Sequence, residues 1–299
     1  MTEAEPPLRQ RFIAFWLAPS RGSAASLFRL AYGATATWMA LNVLSNAQRD
    51  YGPEGLVPWS VVQDSPVAPF SLFSLAPQST LLPWLLAAAF LLAAIGLLLG
   101  VRARLCALVI FVVDLSLHQR NPFIYNAGDN LFLLLAPLAA LLPLDARWSI
   151  AALRRAREGL PARIVPIWFQ RLIGLQIAYV YLNAYAAKIG QASWRNGTAV
   201  GEILSTNALS TVPAGSGIAL IGPLLTWGTL IFELCFPVFV WSRSLRPYLL
   251  LAGVLFHAGI QLTIPIPSFG LVMIGSYACF LSDEEAEKLL AWLKLTRRR

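Results

Sequence analysis

A lysine closes a long apolar stretch in YLNAYAAKIGQASWRNG, residues 181–197, and it is one of three in the chain, the others being Lys288 and Lys294. No acidic residue in that segment can pair with Lys188. It therefore reads either as an anchor snorkelling to an interface or as a working amine. Other ionisable groups interrupt apolar runs, where each is costly and so a site candidate. Asp114 and His118 are spaced i, i+4, on one helical face, as a structural pair or a proton relay. Asn126 and Asp129 open the next run, where a carboxylate suits a helix N-terminus as a cap or joins a site. Gln176, Tyr179, Asn183 and Lys188 form a polar stripe close to one face. Glu233 either pairs with a neighbouring helix or stays protonated, and His257 and Gln261 repeat the i, i+4 spacing. Trp194 and the tyrosines near run ends suit a membrane interface. If Lys188, His118, Asp129 and Gln261 all lie at the outer end of their segments, one outward-facing polar cavity collects them.

The elements that position these groups are set by composition. Hydrophobic residues make up 57% and charged residues 13% of 299, and mean hydropathy is +0.63. A soluble domain of this length has too little interior for so much apolar side chain, so lipid must take the excess. The net charge of +8 reads as arginine-rich cytoplasmic loops and not as nucleic-acid binding. Cys106, Cys235 and Cys279 lie within apolar runs and read as small core residues. The sequence has no Gly-rich phosphate loop, CxxC or HExxH motif, and no metal is expected.

A spanning helix needs about twenty apolar residues. Eight runs qualify, near 25–45, 81–100, 103–119, 128–144, 166–188, 216–241, 247–264 and 268–282, with a tight hairpin at Gly100-Val101-Arg102. With the N-terminus inside, most arginines fall in inner segments, and only Arg49, Arg120, Lys188 and Arg195 lie outside. That asymmetry predicts an even number of spans and cytoplasmic termini. The segments RQRFIAFW, RWSIAALRRAREGLPAR and SDEEAEKLLAWLKLTRRR read as inner-surface helices. The outer loop at 46–80, rich in Pro and aromatics, reads as folded.

Several stretches together resemble the HTTM family, whose membrane domain is shared with vitamin K-dependent gamma-carboxylase. They are AYAAKIGQASWRNGTAVGEIL, HQRNPFIYNAGDNLFLLLAPLAALLPLDARWSI, FHAGIQLTIPIPSFGLVMIGSYACFLSDE, and YGPEGLVPW with FSLF. They occur in the family's order and cover most of the chain. The resemblance implies that Lys188 corresponds to the carboxylase lysine that deprotonates reduced vitamin K. In the carboxylase, oxygen then adds, a strong base removes the gamma proton of a glutamate, carbon dioxide captures the carbanion, and the quinone leaves as an epoxide. Such a base requires a dry site that favours a neutral amine. The carboxylase has a histidine in the loop matching YNAGDN, where this chain has none; His118 lies upstream. A bacterial branch of the family takes part in maturing a secreted peptide toxin.

The expectation is an all-α, polytopic helix bundle of about eight spans in a bacterial inner membrane. Residues 1–24 form an N-terminal amphipathic segment, 25–282 the membrane domain and 283–299 a tail helix. Its function is expected to be carboxylase- or epoxidase-like, on a menaquinol-like reduced vitamin K. Lys188 is the base, Asp114 and His118 orient it or relay protons, and His257 and Gln261 hydrogen-bond the bound quinone or oxygen intermediates. Asn183, Tyr179, Trp194, Asn126 and Asp129 complete the binding set. Expected partners are membrane lipid and an exported peptide or partner membrane protein, not nucleic acid. The rival readings are a non-enzymatic helper in peptide toxin maturation or export and a small-molecule transporter.

Overall fold

The computed structural model describes residues 7–64, 70–206, 209–213 and 217–296. Parts of the predicted N-terminal segment, the outer-loop stretch 65–69 and the terminal arginines 297–299 lie outside these. Among the described residues the regular structure is helical except for one antiparallel pair, β1 (Pro19–Ser20) with β2 (Val165–Pro166). The helices in chain order are α1 (Leu8–Leu17), α2 (Ser23–Ser45), α3 (Ala47–Tyr51), α4 (Trp59–Val62), α5 (Leu82–Leu99), α6 (Ala103–Arg120), α7 (Ala127–Leu141) and α8 (Ile150–Arg157). They continue as α9 (Trp168–Ile189), α10 (Ala192–Arg195), α11 (Ala199–Ser205), α12 (Gly222–Phe239), α13 (Arg246–Thr263), α14 (Pro267–Ser276) and α15 (Asp283–Thr296). A 3₁₀ turn, Tyr277–Phe280, prolongs α14.

Each of the eight predicted runs forms a helix: α2, α5, α6, α7, α9, α12, α13 and α14 with its turn. Two of them, α5 and α12, are long and apolar enough to cross a membrane, with mean hydropathies of 2.4 and 1.4. Helix α7 and the α14 segment are apolar but shorter. Helices α2, α6, α9 and α13 have 18 to 23 residues, and polar side chains dilute their hydropathy: Arg29, Thr35 and Asn42 in α2 and those noted above in the others.

Local chemistry sets the ends of these helices. Leu-rich α5 stops at Gly100, whose φ of 68° is the left-handed C-cap conformation that glycine adopts without strain. Its last carbonyls need donors, and buried Arg29 of α2 supplies them: Nη1 donates to Leu97 O (3.0 Å) and to Leu98 O. Arg29 Nη2 also donates to Trp148 O at 2.6 Å, so one guanidinium ties α2, α5 and the approach to α8 together. Gly22 precedes α2 and offers no side chain to cap it. Asp283, from the far end of the chain, takes that role. It accepts from Ser23 N (2.7 Å), Arg21 N (2.6 Å) and Ser20 Oγ (2.8 Å). Tail helix α15 is therefore held to the start of the bundle, and Arg246 of α13 holds it again through Glu285, at 2.7 and 2.8 Å.

The core runs through α2, α5, α6 and α7 and continues to α9, α12 and α14, with Phe28, Phe90, Ile110, Phe132, Phe236 and Phe280 all buried. Tyr32 stacks on Phe132 (4.4 Å between centroids) and donates to its carbonyl at 2.8 Å. The described part of the outer loop is folded, as expected. Fully buried Arg120 donates to Val57 O (2.7 Å) and to Gly52 O, and Asn121 Nδ2 donates to Asp50 O at 2.9 Å. Two arrangements matter for the site. Helix α9 packs along α12, and α14 is wedged among α2, α7 and α13.

Candidate active site

Helix α9 turns one face inward because Ile173, Ile177 and Tyr181, spaced by four, are buried. One and two turns on, the same face presents Ala184 and Lys188 to a cavity of about 720 Å³. Helices α12 and α13 form its facing walls, with Leu224, Thr229 and Glu233 on one and Leu255, His257 and Ile260 on the other. Trp194 of α10 and Val200, Ile203 and Leu204 of α11 close another side. Val200 N donates to Thr226 Oγ1 at 3.1 Å, which ties α11 to α12.

The ionisable groups that line this largely apolar cavity fall into two sets. In the first, Lys188 Nζ lies 2.6 Å from Glu233 Oε1, and the side chains are 25% and 5% exposed. Nζ also lies 5.3 Å from the centre of the Trp194 ring, in range of a cation–π contact. The partner that Lys188 lacks in its own segment thus comes from α12. Glu233 therefore takes the first of its two expected roles, pairing with a neighbouring helix, and Lys188 is one member of a Lys–Glu pair. Glu233 Oε2 is buried and makes no hydrogen bond among the described residues. In the second set, Tyr181 Oη is 2.7 Å from His257 Nε2 and also hydrogen-bonds Tyr277 Oη. His257 Nδ1 is buried and without a partner among the described residues. Tyr181 and Tyr277 were missed by sequence reasoning, which followed Tyr179 instead.

The structure redistributes the remaining expected residues. Tyr179 is 60% exposed and Asn183 is exposed, both off the inward face of α9. Each stands two residues from Tyr181, about 200° around the helix, so the Ile173–Ile177–Tyr181 row excludes them. Gln261 is also exposed. With its amide nitrogen turned to the α14 start, it reaches Pro267 O and Ile266 O at 3.2 and 3.3 Å, serving the α13–α14 connection. Asp129 and Asn126 form the capping box of α7, with Asn126 N donating to Asp129 Oδ2 at 3.0 Å and Asn126 Oδ1 accepting from Gly128 N at 2.7 Å. Asn126 Oδ1 also accepts from Ser268 Oγ of α14 at 3.0 Å.

Asp114 and His118 do not line the Lys188 cavity. They form a separate cluster on α6. His118 Nδ1 is 2.9 Å from the Asp114 carbonyl and 3.5 Å from its Oδ1, and Tyr125 stacks on the imidazole at 3.5 Å and 11°. The Tyr125 hydroxyl meets that of Tyr51 at 2.8 Å. The expected single polar cavity is corrected to two clusters, with the first turn of α14 between them. Its Ser268 bonds Asn126, and its Phe269 ring lies 5.2 Å from that of His257.

The family model described as HTTM domain matches residues 18–284. The chain belongs to the HTTM family. It is similar to sporulation-delaying protein SdpB of Bacillus subtilis (strain 168), with 28% identity over 209 residues, 65% of this chain and 62% of SdpB. It is also similar to YitO of the same strain, with 24% identity over 198 residues, 62% of each chain. The HTTM chain thus matches about 62% of the length of both relatives. No solved structure matches it. The match takes in every helix from α2 to α14 and therefore both clusters. As an HTTM protein, the chain is a membrane protein, consistent with apolar α5 and α12.

Proposed function

We propose that this HTTM protein is an enzyme that binds a reduced quinone-type lipid in the α9–α12–α13 cavity and that the Lys188–Glu233 pair takes a proton from its hydroxyl. The bilayer setting belongs to the same reading: the eight apolar helices lie in an inner membrane, and the arginine-rich segments and both termini face the cytoplasm. The observation that carries it is a Lys–Glu pair at 2.6 Å in the wall of a 720 Å³ apolar cavity. Lipid-like bulk suits the aliphatic walls, and a few convergent polar groups suit a small polar head. The fit is supported by buried atoms that no protein group satisfies, Glu233 Oε2 and His257 Nδ1. Buried polar atoms normally find partners, so a polar ligand head between these two residues accounts for both.

When bound, a quinol supplies an ionisable phenolic hydroxyl and two reducing electrons. The protein's own groups manage the proton. If the pair is ionic, Glu233 Oε2 accepts it; if the pair is neutral, Lys188 Nζ accepts it. Both routes end with an ammonium at Lys188 beside a protonated Glu233. Trp194 and α11 keep water from that side, which strengthens every electrostatic interaction within. Carboxylase- or epoxidase-type chemistry on an exported peptide is the further reaction that this reading assigns to the family likeness.

The test is a lipid extract of purified protein together with titration of menadiol against Trp194 fluorescence, using Trp194→Phe as the blank. Retained quinone and Trp194-dependent quenching, both lost in Leu224→Trp, support the reading. No retained quinone and no quenching overturn it. Full turnover in Lys188→Arg would exclude the amine route, because arginine stays charged, and would leave Glu233 as the acceptor.

A further inference from the structure

We infer that Tyr277 and Tyr181 fix the tautomer of His257, so that the imidazole offers Nδ1–H, a hydrogen-bond donor, to whatever occupies the cavity. The inference rests on the cavity reading above for its ligand, but not for the tautomer itself. Three groups form one chain: Tyr277 Oη meets Tyr181 Oη, which meets His257 Nε2 at 2.7 Å. All three residues are buried, with exposures of 4% for Tyr277, 2% for Tyr181 and 1% for His257. Tyr277 Oη has no other hydrogen bond among the described residues.

The direction of the chain follows from counting unmet groups. Suppose His257 carried its proton on Nε2 and donated to Tyr181, which donated to Tyr277. The Tyr277 hydroxyl hydrogen and the Nδ1 lone pair would then both be buried and unmet. If both Nε2–H and Tyr277 donated to Tyr181, the Tyr181 hydrogen and Nδ1 would be unmet instead. When Tyr277 donates to Tyr181 and Tyr181 donates to Nε2, the only unmet group is Nδ1–H, on a residue that lines the cavity. Leaving buried donors unmade is the costly outcome, so the last arrangement wins. The hydrogen bond at one ring nitrogen sets what the other can do.

Gly253 makes the chain possible. It lies one turn before His257 on α13, and an added Cβ there would fall 2.7 Å from Tyr277 Cζ, with the hydroxyl closer still. The absence of a side chain admits Tyr277 between α13 and α9. Tyr277 and Tyr181 are thus positioning residues that act through His257. The specificity they impose is for a ligand oxygen able to accept at Nδ1–H, in a cavity also lined by Glu233, whose Oε2 can only accept when ionised.

The chain has two histidines, so nitrogen-15 labelling of histidine gives a spectrum that a His118→Asn variant assigns. In nanodiscs of phosphatidylcholine and phosphatidylglycerol near neutral pH, His257 is expected to show a protonated Nδ1 and a bare Nε2. Tyr181→Phe is expected to move the ring towards the Nε2–H form, and Gly253→Ala to do so in part. A wild-type ring protonated at Nε2, or at both nitrogens, overturns the inference, as does an unchanged ring in Tyr181→Phe. The wild-type reading needs no variant to fold. Added menadiol is a separate arm: a shifted Nδ1 signal at His257 places its oxygen there. A fixed Nδ1–H tautomer with no response to menadiol would fail the quinol reading and leave the tautomer inference standing.

Discussion

Lys188→Met removes one partner of a buried pair and nearly preserves shape. At 2.6 Å the gross attraction is about 6 kcal/mol for an effective dielectric of 20. Desolvation of both charges offsets most of it, and breaking such a pair from one side costs about 3–5 kcal/mol. Lys188 is one-quarter exposed, and Glu233 can take up a proton, so the expected loss falls just below that range, at about 2–3 kcal/mol. The double variant Lys188→Met/Glu233→Gln leaves no buried charge, and the expected loss falls to about 1 kcal/mol. With about 1 kcal/mol or more expected for Glu233→Gln alone, the cycle gives a coupling of about 2 kcal/mol or more, well beyond the additivity of independent sites. The assay is equilibrium unfolding in mixed micelles, followed by circular dichroism for wild type, both single variants and the double. Lys188→Arg is a control expected to keep most of the stability, because a guanidinium can engage both carboxylate oxygens. The reasoning is refuted if Lys188→Met unfolds within about 0.5 kcal/mol of wild type, the range of ordinary surface changes. It is refuted equally if the double variant is no more stable than the worse single one.

Asp283→Ala takes the borrowed cap from α2 and is expected to cost about 1–2 kcal/mol, with faster hydrogen exchange in residues 20–26 as the local readout. Burial pushes the Glu285 carboxyl up, but the Ser282 N–H and the Arg246 guanidinium outweigh it and hold Glu285 below its ordinary value of 4.5. A depressed carboxylate stabilises above its unfolded value and loses that contribution as pH falls through its folded one. Exchange across α15 should therefore rise on acidification below about pH 4.5, and Arg246→Met should narrow that dependence. Asn126→Ala removes the α7 cap and the Ser268 contact together, for an expected loss of about 1–2 kcal/mol in the same unfolding assay. Tyr179→Ala and Asn183→Ala should leave menadiol quenching unchanged, since both side chains point away from the cavity.

The helices were legible because eight apolar runs, each near the length of a span, dominate the composition, and every one became a helix. The Gly100 turn was legible for a similar reason, since glycine between two such runs suits a left-handed cap. The inward face of α9 was not. Polar residues at 176, 179, 183 and 188 suggested a stripe, yet burial followed Ile173, Ile177 and Tyr181. In a helix packed among other apolar helices, polarity does not mark the buried side as it does on a helix that faces water. The packing of small and aromatic residues against a neighbour does, and that neighbour is not in the local sequence. Glu233 was visible as a lone carboxylate in its run, but its partner stands 45 residues earlier. Asp283 as the cap of α2, 260 residues from Ser23, gave no local signal apart from the cap that Gly22 lacks.

The separation of the two clusters bears on how the site can work. Asp114 and His118 have their own supports: the imidazole bonds the Asp114 carbonyl and stacks on Tyr125, which is itself bonded to Tyr51 of the outer-loop base. Direct proton transfer to the Lys188 cavity would need a path past the first turn of α14. That turn is pinned on one side by Asn126 and on the other by the ring contact of Phe269 with His257. A cavity occupant that displaces Phe269 would therefore be felt at Ser268, Asn126 and the start of α7, where Asp129 closes the capping box. The physical route between the clusters is this short packed segment, not a shared pool of polar groups. Coupling between them should then be mechanical: changes at Ser268, or at Gly128, where an added Cβ would run into Ser268 and Phe269, should alter both menadiol binding and the His118 environment, while changes at Lys188 should leave His118 undisturbed.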